Sequence, residues 1–212
     1  MNDTTRLARG MYVITEHRQL QFPELLSRTE TILQAGIVAL QYRNKAAGGK
    51  QKRYEAEQLQ ALCADHNTLF VINDDIELAL DLEPDGVHLG KGDVMCKEAR
   101  RRLGEQMLIG ISCYNDPERA GRAVADGADY IAFGAMYPTA SKLNATEASP
   151  GLIRTAKQQY TIPVVAIGGI TPDNCLPVIE AGADLLAVIS GVYLADAPGA
   201  VIDRFNTLML KR

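Results

Sequence analysis

Short apolar runs alternate along the chain with longer segments in which apolar and polar residues mix at helical spacing. The segment 22–36 is of the second kind, because its less polar side chains recur at intervals close to one helical turn. These side chains are Leu25, Leu26, Thr29, Ile32 and Leu33. Gly36 follows them and is suited to ending the helix, since glycine readily adopts the left-handed conformation found after many helices.

The short apolar runs predict β-strands, because each is brief and rich in strand-forming residues. Eight such runs are present, at 11–15, 37–43, 69–73, 86–90, 107–112, 130–134, 163–169 and 185–190. The phrase DGADYIAFG recurs as AGADLLAVIS, and QAGIVALQYR and PDGVHLG are looser copies of the same passage from a helix into a strand. The chain therefore repeats one βα unit.

Eight βα units in 212 residues favour a closed barrel of parallel strands surrounded by helices. The predicted fold class is α/β, a single (β/α)8 TIM barrel that occupies residues 1–212 as one domain. An open, doubly wound sheet is the alternative, but sheets of that type usually have fewer strands. In a barrel, the loops after the strands meet at one mouth, so the active site is expected at the carboxyl ends of the strands.

The composition narrows the possible functions. A chain of 212 residues with 47% hydrophobic content can bury one sizeable core. Its formal net charge of −4 speaks against a cationic nucleic-acid surface, and no stretch approaches the roughly 18 apolar residues of a membrane span. The four cysteines lie far apart without a metal-finger spacing, so free thiols and a cytoplasmic location are expected. Small molecules are the predicted partners.

Two aspartates occupy strand ends that would be neighbours in a barrel. Asp74 follows the third predicted strand closely, and Asp93 lies in the GKGD stretch after the fourth. A single Asn-Asp pair after a strand is most often a helix N-cap, and Asp75 is expected to have that role. Two carboxylates at one mouth repel each other unless a cation lies between them, and Mg²⁺ prefers oxygen ligands of this kind. Asp74 and Asp93 are therefore predicted to bind Mg²⁺.

Basic and amide side chains follow the other strands and predict a diphosphate site beside the metal. They are Gln41, Arg43, Lys45, Asn73 and Lys142. Taken singly, Arg43 and Lys142 would be ordinary surface charges, and His88 on the fourth strand is expected to be a packed core histidine rather than a base. Their common placement at strand ends is what favours anion binding.

A second anion site is predicted on the opposite side of the mouth. The stretches AIGGI (166–170) and VISGV (188–192) follow the seventh and eighth strands. Barrels often bind a monophosphate at this position through backbone N–H groups. One diphosphate and one monophosphate indicate two substrates.

The motifs QYRNK, INDD, GVHLGKGD, GIS, YPTASK, IGGI and VIS occur in this order between about residue 10 and residue 195. As a set they resemble the thiamine phosphate synthase family. The resemblance implies a transferase that condenses 4-amino-2-methyl-5-pyrimidinylmethyl diphosphate with 4-methyl-5-(2-phosphoethyl)thiazole, or its carboxylate, to give thiamine phosphate and pyrophosphate. It also implies Mg²⁺ as the cofactor and a dissociative substitution, in which pyrophosphate leaves before the new C–N bond is well formed.

The resemblance also implies roles for residues of this chain. Asp74 and Asp93 would be the metal ligands, and Ser112 would lie beside the pyrimidine. The catalytic residues would be Lys142, Arg43 and Ser112. The diphosphate or the pyrimidine would be bound by Gln41, Arg43, Lys45, Asn73 and Lys142, and the thiazole phosphate by Thr139, Ser141, Gly169, Ile189 and Ser190.

Four positions depart from the pattern that family members commonly show. GAMYPTASK stands where GPxxPTxTK is usual, with Ala135 for proline and Ser141 for threonine, and both changes keep the chemistry that is needed. Tyr114 stands where a histidine is usual, and Gly92 replaces a glutamate.

Two other functions are alternatives to the synthase. A related thiazole tautomerase uses a histidine in the loop after the fifth strand, so Tyr114 argues against that alternative. A non-catalytic relative that binds thiamine phosphates is the other, although every charged residue that the synthesis needs is present. The implied reaction requires no protein nucleophile, which makes Cys113 a poor candidate for a catalytic thiolate. A homo-oligomer is compatible with the sequence.

Overall fold

The structure, a computed structural model, describes residues 7–138 and 148–210. Eight parallel strands pair in chain order, and the first also pairs with the last, so the sheet closes into a barrel. This closure confirms the predicted (β/α)8 TIM barrel. It excludes the open doubly wound sheet, because an open sheet has two unpaired edges.

The strands are short and buried, as expected for a parallel sheet that is covered by helices. They are β1 (Gly10–Ile14), β2 (Ala39–Tyr42), β3 (Leu69–Asn73), β4 (Gly86–Leu89), β5 (Leu108–Tyr114), β6 (Tyr130–Phe133), β7 (Val164–Ile167) and β8 (Leu185–Val188). All eight predicted strands are present, and the differences lie at their ends. Gly168 and Gly169, predicted within the seventh strand, belong to the loop after β7.

Helices follow the strands and cover the outside of the barrel. They are α1 (Phe22–Gln34), α2 (Gly49–Asp65), α3 (Ile76–Leu82), α4 (Cys96–Leu103), α5 (Pro117–Ala125), α6 (Pro150–Gln159), α7 (Leu176–Glu180), α8 (Ser190–Tyr193) and α9 (Pro198–Leu210). The first helix ends close to where its pattern predicted. Gly36 has a φ of +82°, the left-handed conformation for which glycine is favoured.

The core has two layers, because alternate residues of a strand point to opposite faces of the sheet. The layer inside the barrel includes Tyr12, Ala39, Val71, Leu108, Tyr130 and Leu185. The layer between the strands and the helices includes Met11, Leu40, Phe70, Val87, Ile131 and Leu186. Gln41 lies two residues after the inward-facing Ala39, so it extends the inner layer towards the mouth of the barrel.

The four cysteines are buried and unpaired, as their spacing predicted. Burial raises the pKa of the Cys113 thiol to about 12, so almost none of it is ionised at neutral pH. Cys113 is therefore unsuited to nucleophilic catalysis. Within residues 7–138 and 148–210, none of the helices combines the length and the apolar composition that a membrane span requires.

Candidate active site

Two of the cavities reach the carboxyl ends of the strands. The smaller has a volume of about 340 Å³ and lies largely among α2, α3 and α4, and its lining reaches the strand ends at Lys45, Asn73 and Asp74. The larger cavity has a volume of about 720 Å³, and its lining includes Ser112, Gly169, Ile189 and Ser190. Three predicted diphosphate or metal residues thus lie away from Gly169, Ile189 and Ser190, the described members of the predicted thiazole-phosphate set.

Asp74 and Asp93 come together at the ends of β3 and β4, as predicted. Burial and a hydrogen bond with Asp74 raise the pKa of Asp93 above its ordinary value. Burial also disfavours the charged form of Asp74, but hydrogen bonds with Asp93 and Lys45 outweigh it and lower the pKa of Asp74. The ammonium of Lys45 lies 2.8 Å from Asp74 Oδ2. Asp74 is therefore the more acidic member of the pair.

The residues at this position fit a divalent cation such as Mg²⁺. The pair supplies carboxylate oxygens, which Mg²⁺ prefers, and a cation beside the pair would offset the burial and the neighbouring carboxylate that raise the pKa of Asp93. In the part of the chain that the structure describes, no group of three or more His, Cys, Asp or Glu side chains forms a metal site. A cation held by Asp74 and Asp93 would therefore take further ligands from other groups, such as substrate or water oxygens.

The backbone at the end of β3 gives two successive aspartates different roles. Asp74 has a φ of +65°, and its backbone N–H donates to the carbonyl oxygen of His88 at 2.9 Å. Asp and Asn adopt this left-handed conformation more readily than most residues. The side chain of Asp75 accepts from the backbone N–H of Leu78 at 3.1 Å and so caps α3. The predicted N-cap role of Asp75 is confirmed, and Asp74 remains available at the mouth.

The loop after β2 carries Arg43 and Lys45, and hydrogen bonds with buried polar groups fix its conformation. Asn44 Oδ1 accepts from two successive backbone N–H groups of the loop, each at 3.2 Å. Asn44 Nδ2 donates to Glu55 Oε2 at 2.9 Å, and Glu55 also accepts from the hydroxyl of Tyr42 at 2.8 Å. Glu55 is only 1% exposed, so these bonds anchor the loop to α2.

The remaining members of the QYRNK motif have different surroundings. Gln41 is buried inside the barrel, where its amide nitrogen donates to the hydroxyl of Tyr12 at 2.8 Å. The backbone N–H of Arg43 donates to Thr15 Oγ1 at 2.9 Å, which ties the end of β2 to the end of β1. Gln41 therefore lies beneath the mouth rather than at its rim.

The loop after β7 packs closely against the loop after β6 at the larger cavity. Gly169 has a φ of +65°, and a Cβ atom at this position would lie 2.7 Å from the carbonyl oxygen of Pro138. The carbonyl of Gly168 accepts from the backbone N–H of Tyr137 at 3.0 Å. A side chain at Gly169 would push the two loops apart. The IGGI motif is thus required for close packing, in addition to any role in anion binding.

A carboxylate lies next to the predicted phosphate ligand Ser190. Glu16, shortly after β1, is 1% exposed and accepts a hydrogen bond from the hydroxyl of Ser190. It also accepts from the backbone N–H of Arg18 at 3.1 Å and from the guanidinium of Arg18 at 3.3 Å. Burial opposes ionisation, but the bonds from Arg18 and Ser190 hold the pKa of Glu16 below its ordinary value.

Arg18 and Glu16 are candidate site residues that were not predicted from the sequence. Arg18 lines the larger cavity, and Glu16 orients its guanidinium. The available signal was the stretch EHR (16–18) shortly after the first strand. It follows the same rule as the other strand ends, because every loop after a strand of a closed barrel reaches the mouth.

Ser112 lies on β5 beside the larger cavity, and its Oγ is 2.8 Å from Nε2 of His88. His88 is buried, as predicted for a core residue, yet it contacts a predicted site residue. The pairing of β5 with β6 shifts between Ser112 and Tyr114. The hydroxyl of Tyr114 accepts from the backbone N–H of Lys91 at 3.2 Å. Tyr114 therefore joins the loop after β5 to the loop that carries Asp93.

Three predicted site residues, Thr139, Ser141 and Lys142, lie outside the described residues. Pro138, which directly precedes them in the chain, lines the larger cavity. Their assignments to the diphosphate and the thiazole phosphate stay predictions, as do the binding roles of the described site residues.

The fold and the polar groups at its mouth define a (β/α)8-barrel enzyme. A model of the family described as thiamine monophosphate synthase matches residues 11–192 of the chain. The chain belongs to the thiamine monophosphate synthase family.

Individual relatives agree with this family. The chain is 44% identical to a protein named thiamine-phosphate synthase from Thioalkalivibrio sulfidiphilus, over 98% of this chain and 99% of that protein. It is 47% identical to a protein of the same name from Xylella fastidiosa, over 94% of this chain and 84% of that protein. A solved structure of thiamine phosphate pyrophosphorylase from Pyrococcus furiosus has a TM-score of 0.88 and 30% identity, and the match covers 98% of both chains.

Proposed function

We propose that this chain joins 4-amino-2-methyl-5-pyrimidinylmethyl diphosphate to the ring nitrogen of 4-methyl-5-(2-phosphoethyl)thiazole, or of its carboxylate. The bond between the methylene carbon and the diphosphate oxygen breaks, and its electron pair leaves with pyrophosphate. The lone pair of the thiazole nitrogen forms the new C–N bond. Membership in the family makes the chain a transferase that acts on small molecules, with the function of a thiamine-phosphate synthase.

The two-sided mouth is the observation that carries the proposal. One side holds the acidic pair Asp74 and Asp93 with Lys45, and the other holds the cavity lined by Gly169 and Arg18. A substitution between a diphosphate and a monophosphate needs separate places for the two anions. It also needs their reacting ends to meet between those places.

On the acidic side, Asp74 and Asp93 would hold Mg²⁺, which would supply positive charge to neutralise the diphosphate. Lys45 contacts Asp74, and in this proposal its ammonium also binds phosphate oxygens. Arg43 and Lys142 contribute further positive charge as pyrophosphate departs. Their effect is larger in the transition state than in the ground state, because negative charge builds up on the leaving group.

On the opposite side, we assign the thiazole phosphate to main-chain N–H groups of Gly169, Ile189 and Ser190. The hydroxyl of Ser190 already donates to Glu16, so it is a weaker candidate than the backbone at the same position. Arg18 lines the cavity and supplies the charged partner for the phosphate. Thr139 and Ser141 are expected to add hydroxyl groups, as the family resemblance implies.

The substitution proceeds without a protein nucleophile in this proposal, since the thiol of Cys113 is buried and its pKa is raised. A pyrimidine diphosphate with trifluoromethyl in place of the methyl group tests whether the route is dissociative. Electron withdrawal destabilises a pyrimidinylmethyl cation, so single-turnover rates should fall strongly. A rate close to that of the methyl substrate would favour direct displacement by the thiazole nitrogen.

Incubation of the pure protein with both substrates and Mg²⁺ tests the proposed activity. Thiamine phosphate and pyrophosphate should form in equal amounts, and omission of either substrate should abolish both. Binding of the substrates without any product would instead support the non-catalytic alternative. Conversion of a thiazole carboxylate alone into its tautomer, again without thiamine phosphate, would support a tautomerase.

A further inference from the structure

Five side chains from five strands form a continuous row of hydrogen bonds across the inside of the barrel. Gln41 Nε2 lies 2.8 Å from the hydroxyl of Tyr12, which lies 2.9 Å from the hydroxyl of Tyr130. The hydroxyl of Tyr130 lies 3.2 Å from Nδ1 of His88, and Nε2 of His88 lies 2.8 Å from Ser112 Oγ. The row begins and ends at two residues predicted to contact the substrates, Gln41 and Ser112.

The row is buried, and the sequence makes room for it. Tyr12 and Tyr130 are 2% and 0% exposed, so their hydroxyls depend on each other and on their neighbours in the row. Gly110 lies opposite both His88 and Tyr130 in the strand register. A Cβ atom at Gly110 would collide with the ring of Tyr130, so the glycine provides the space in which that ring lies.

The row has a direction, because its first atom, the amide nitrogen of Gln41, can only donate. The amide nitrogen of Gln41 has no acceptor lone pair, so the oxygen of Tyr12 accepts from it. The proton of Tyr12 then goes to the oxygen of Tyr130, and the proton of Tyr130 goes to Nδ1 of His88. The opposite direction would require Gln41 to present its amide oxygen to Tyr12.

The direction decides the state of the last two residues. A neutral histidine that accepts at Nδ1 carries its proton on Nε2. His88 therefore donates from Nε2 to Ser112 Oγ. The hydroxyl proton of Ser112 is then left for another acceptor, and Ser112 lines the larger cavity.

We propose that this row fixes Ser112 as a hydrogen-bond donor to an unprotonated ring nitrogen of the pyrimidine substrate. Tyr12, Tyr130 and His88 are then positioning residues that act through Ser112. The proposal rests on the proposed function for the identity of the ring. It adds the hydrogen-bonding polarity of the site, which favours a heterocycle that presents an acceptor and disfavours one that presents a C–H or N–H group.

The state of His88 can be measured without any substrate. Histidine ¹⁵N chemical shifts distinguish the two neutral tautomers and the cation, and the chain has only three histidines to assign. A neutral ring with its proton on Nε2 is expected at neutral pH. A proton on Nδ1, or on both nitrogens, would overturn the proposed direction whatever reaction the enzyme catalyses.

The role of Tyr130 can be measured with Tyr130→Phe in the full-length enzyme. Without the phenol, Nδ1 of His88 loses its donor, the other tautomer becomes available, and Ser112 can donate to His88 instead of the substrate. We expect the KM for the pyrimidine diphosphate to rise about tenfold while the KM for thiazole phosphate changes little. Tyr193→Phe is the matched control, because Tyr193 is equally buried and its hydroxyl bonds to Thr29 on the helical layer.

A double-mutant cycle separates action through Ser112 from a general loss of packing. If Tyr130 acts through Ser112, the double variant Tyr130→Phe with Ser112→Ala should resemble Ser112→Ala alone. Additive effects would overturn the proposal. Tyr12→Phe breaks the row one link earlier and repeats the test if Tyr130→Phe does not fold.

Substrate analogues provide the last test of the donor role of Ser112. Each pyrimidine ring nitrogen is replaced in turn by C–H, and the ratio of kcat/KM between substrate and analogue is compared in wild type and Tyr130→Phe. The ratio for one analogue should fall about tenfold in the variant, because the row no longer holds Ser112 as a donor. Unchanged ratios for both analogues would refute the donor role. Absence of wild-type turnover with the natural substrates would count against the proposed function alone.

Discussion

The two sides of the barrel mouth are built in different ways. At the ends of β3 and β4, charged side chains form the wall, and Asp74 contacts both Asp93 and Lys45. At the ends of β7 and β8, the main chain forms much of the wall, and glycines permit the loops to approach each other. The comparison teaches that one side depends on the identity of charged groups, whereas the other depends on the absence of side chains.

The difference has a physical origin in the proposed ligands. A diphosphate bound with Mg²⁺ requires charge that can be balanced among carboxylates, basic residues and the ion. A terminal monophosphate can be held by several backbone N–H groups, provided that the chain lies close enough to it. The variants below therefore test the two sides separately.

The largest effect is expected for Asp93→Ala, which removes one of the two predicted Mg²⁺ ligands. Turnover should fall by about 10²-fold or more, because the negative charge of the leaving pyrophosphate is then poorly neutralised. Thermal unfolding should change little, since Asp93 lies at the mouth and not in the apolar core. Steady-state kinetics at several Mg²⁺ concentrations measure the effect. Asp65→Ala, at an exposed carboxylate on α2, is the control. Wild-type turnover of Asp93→Ala would remove the metal assignment.

A smaller effect, on the other substrate, is expected for Gly169→Ala. The added Cβ atom would lie within 3 Å of main-chain oxygens of Tyr137 and Pro138, and the φ of +65° is unfavourable for alanine. The free energy of unfolding should fall by about 1–3 kcal/mol, and the KM for thiazole phosphate should rise about tenfold or more. Gly49→Ala is the control, because no atom lies within 4 Å of its added Cβ. A rise confined to the KM for the pyrimidine diphosphate would contradict the assignment of Gly169 to the thiazole phosphate.

Arg18→Ala should have a moderate effect, and it tests the same side of the mouth as Gly169→Ala. Loss of one partly exposed, charge-assisted hydrogen bond should raise the KM for thiazole phosphate about tenfold, with a smaller change for the pyrimidine diphosphate. Initial rates with each substrate varied in turn measure this split. Arg9→Ala is the matched control, because Arg9 is an exposed arginine just before β1, at the end of the barrel away from the mouth. Equal effects on both substrates would argue against a role confined to the phosphate.

The smallest effect is a gain in stability for Asp93→Asn. The pKa of Asp93 is raised, so its ionised form is less favourable in the folded state than in the unfolded state. Removing the charge should increase the free energy of unfolding at neutral pH, by less than about 1 kcal/mol at this partly exposed position. The gain should disappear as the pH falls and wild-type Asp93 becomes protonated. Denaturant titrations at pH 7 and pH 4, without magnesium, measure it. A loss of stability at pH 7 would contradict the raised pKa.

Much of the site was predictable because the barrel converts position in the sequence into position in space. Asp74 and Asp93 follow successive strands of the chain, and the register of parallel strands places them together at the mouth. Asp75 was assigned correctly as a helix cap because capping depends on local geometry. Rules of this kind need no knowledge of the neighbouring side chains.

Other features depended on contacts that no local pattern reveals. Glu16 and Ser190 belong to the first and last parts of the barrel, and only its closure brings them into hydrogen-bond contact. His88 was rightly expected to be buried, but its bonds to Tyr130 and Ser112 follow from which residues of three strands face inward at the same height.

The sequence by itself determined the number and order of the strands, the closed barrel that they form and the family to which the chain belongs. These features follow from apolar periodicity and from motifs that are contiguous in the chain. The tertiary structure alone decided that Arg18 lines the larger cavity, that Asp93 rather than Asp74 has the raised pKa, and that Gln41 connects to Ser112 through two buried hydroxyls and the ring of His88. Such features depend on distances between side chains from different strands, and those distances exist only once the barrel has closed.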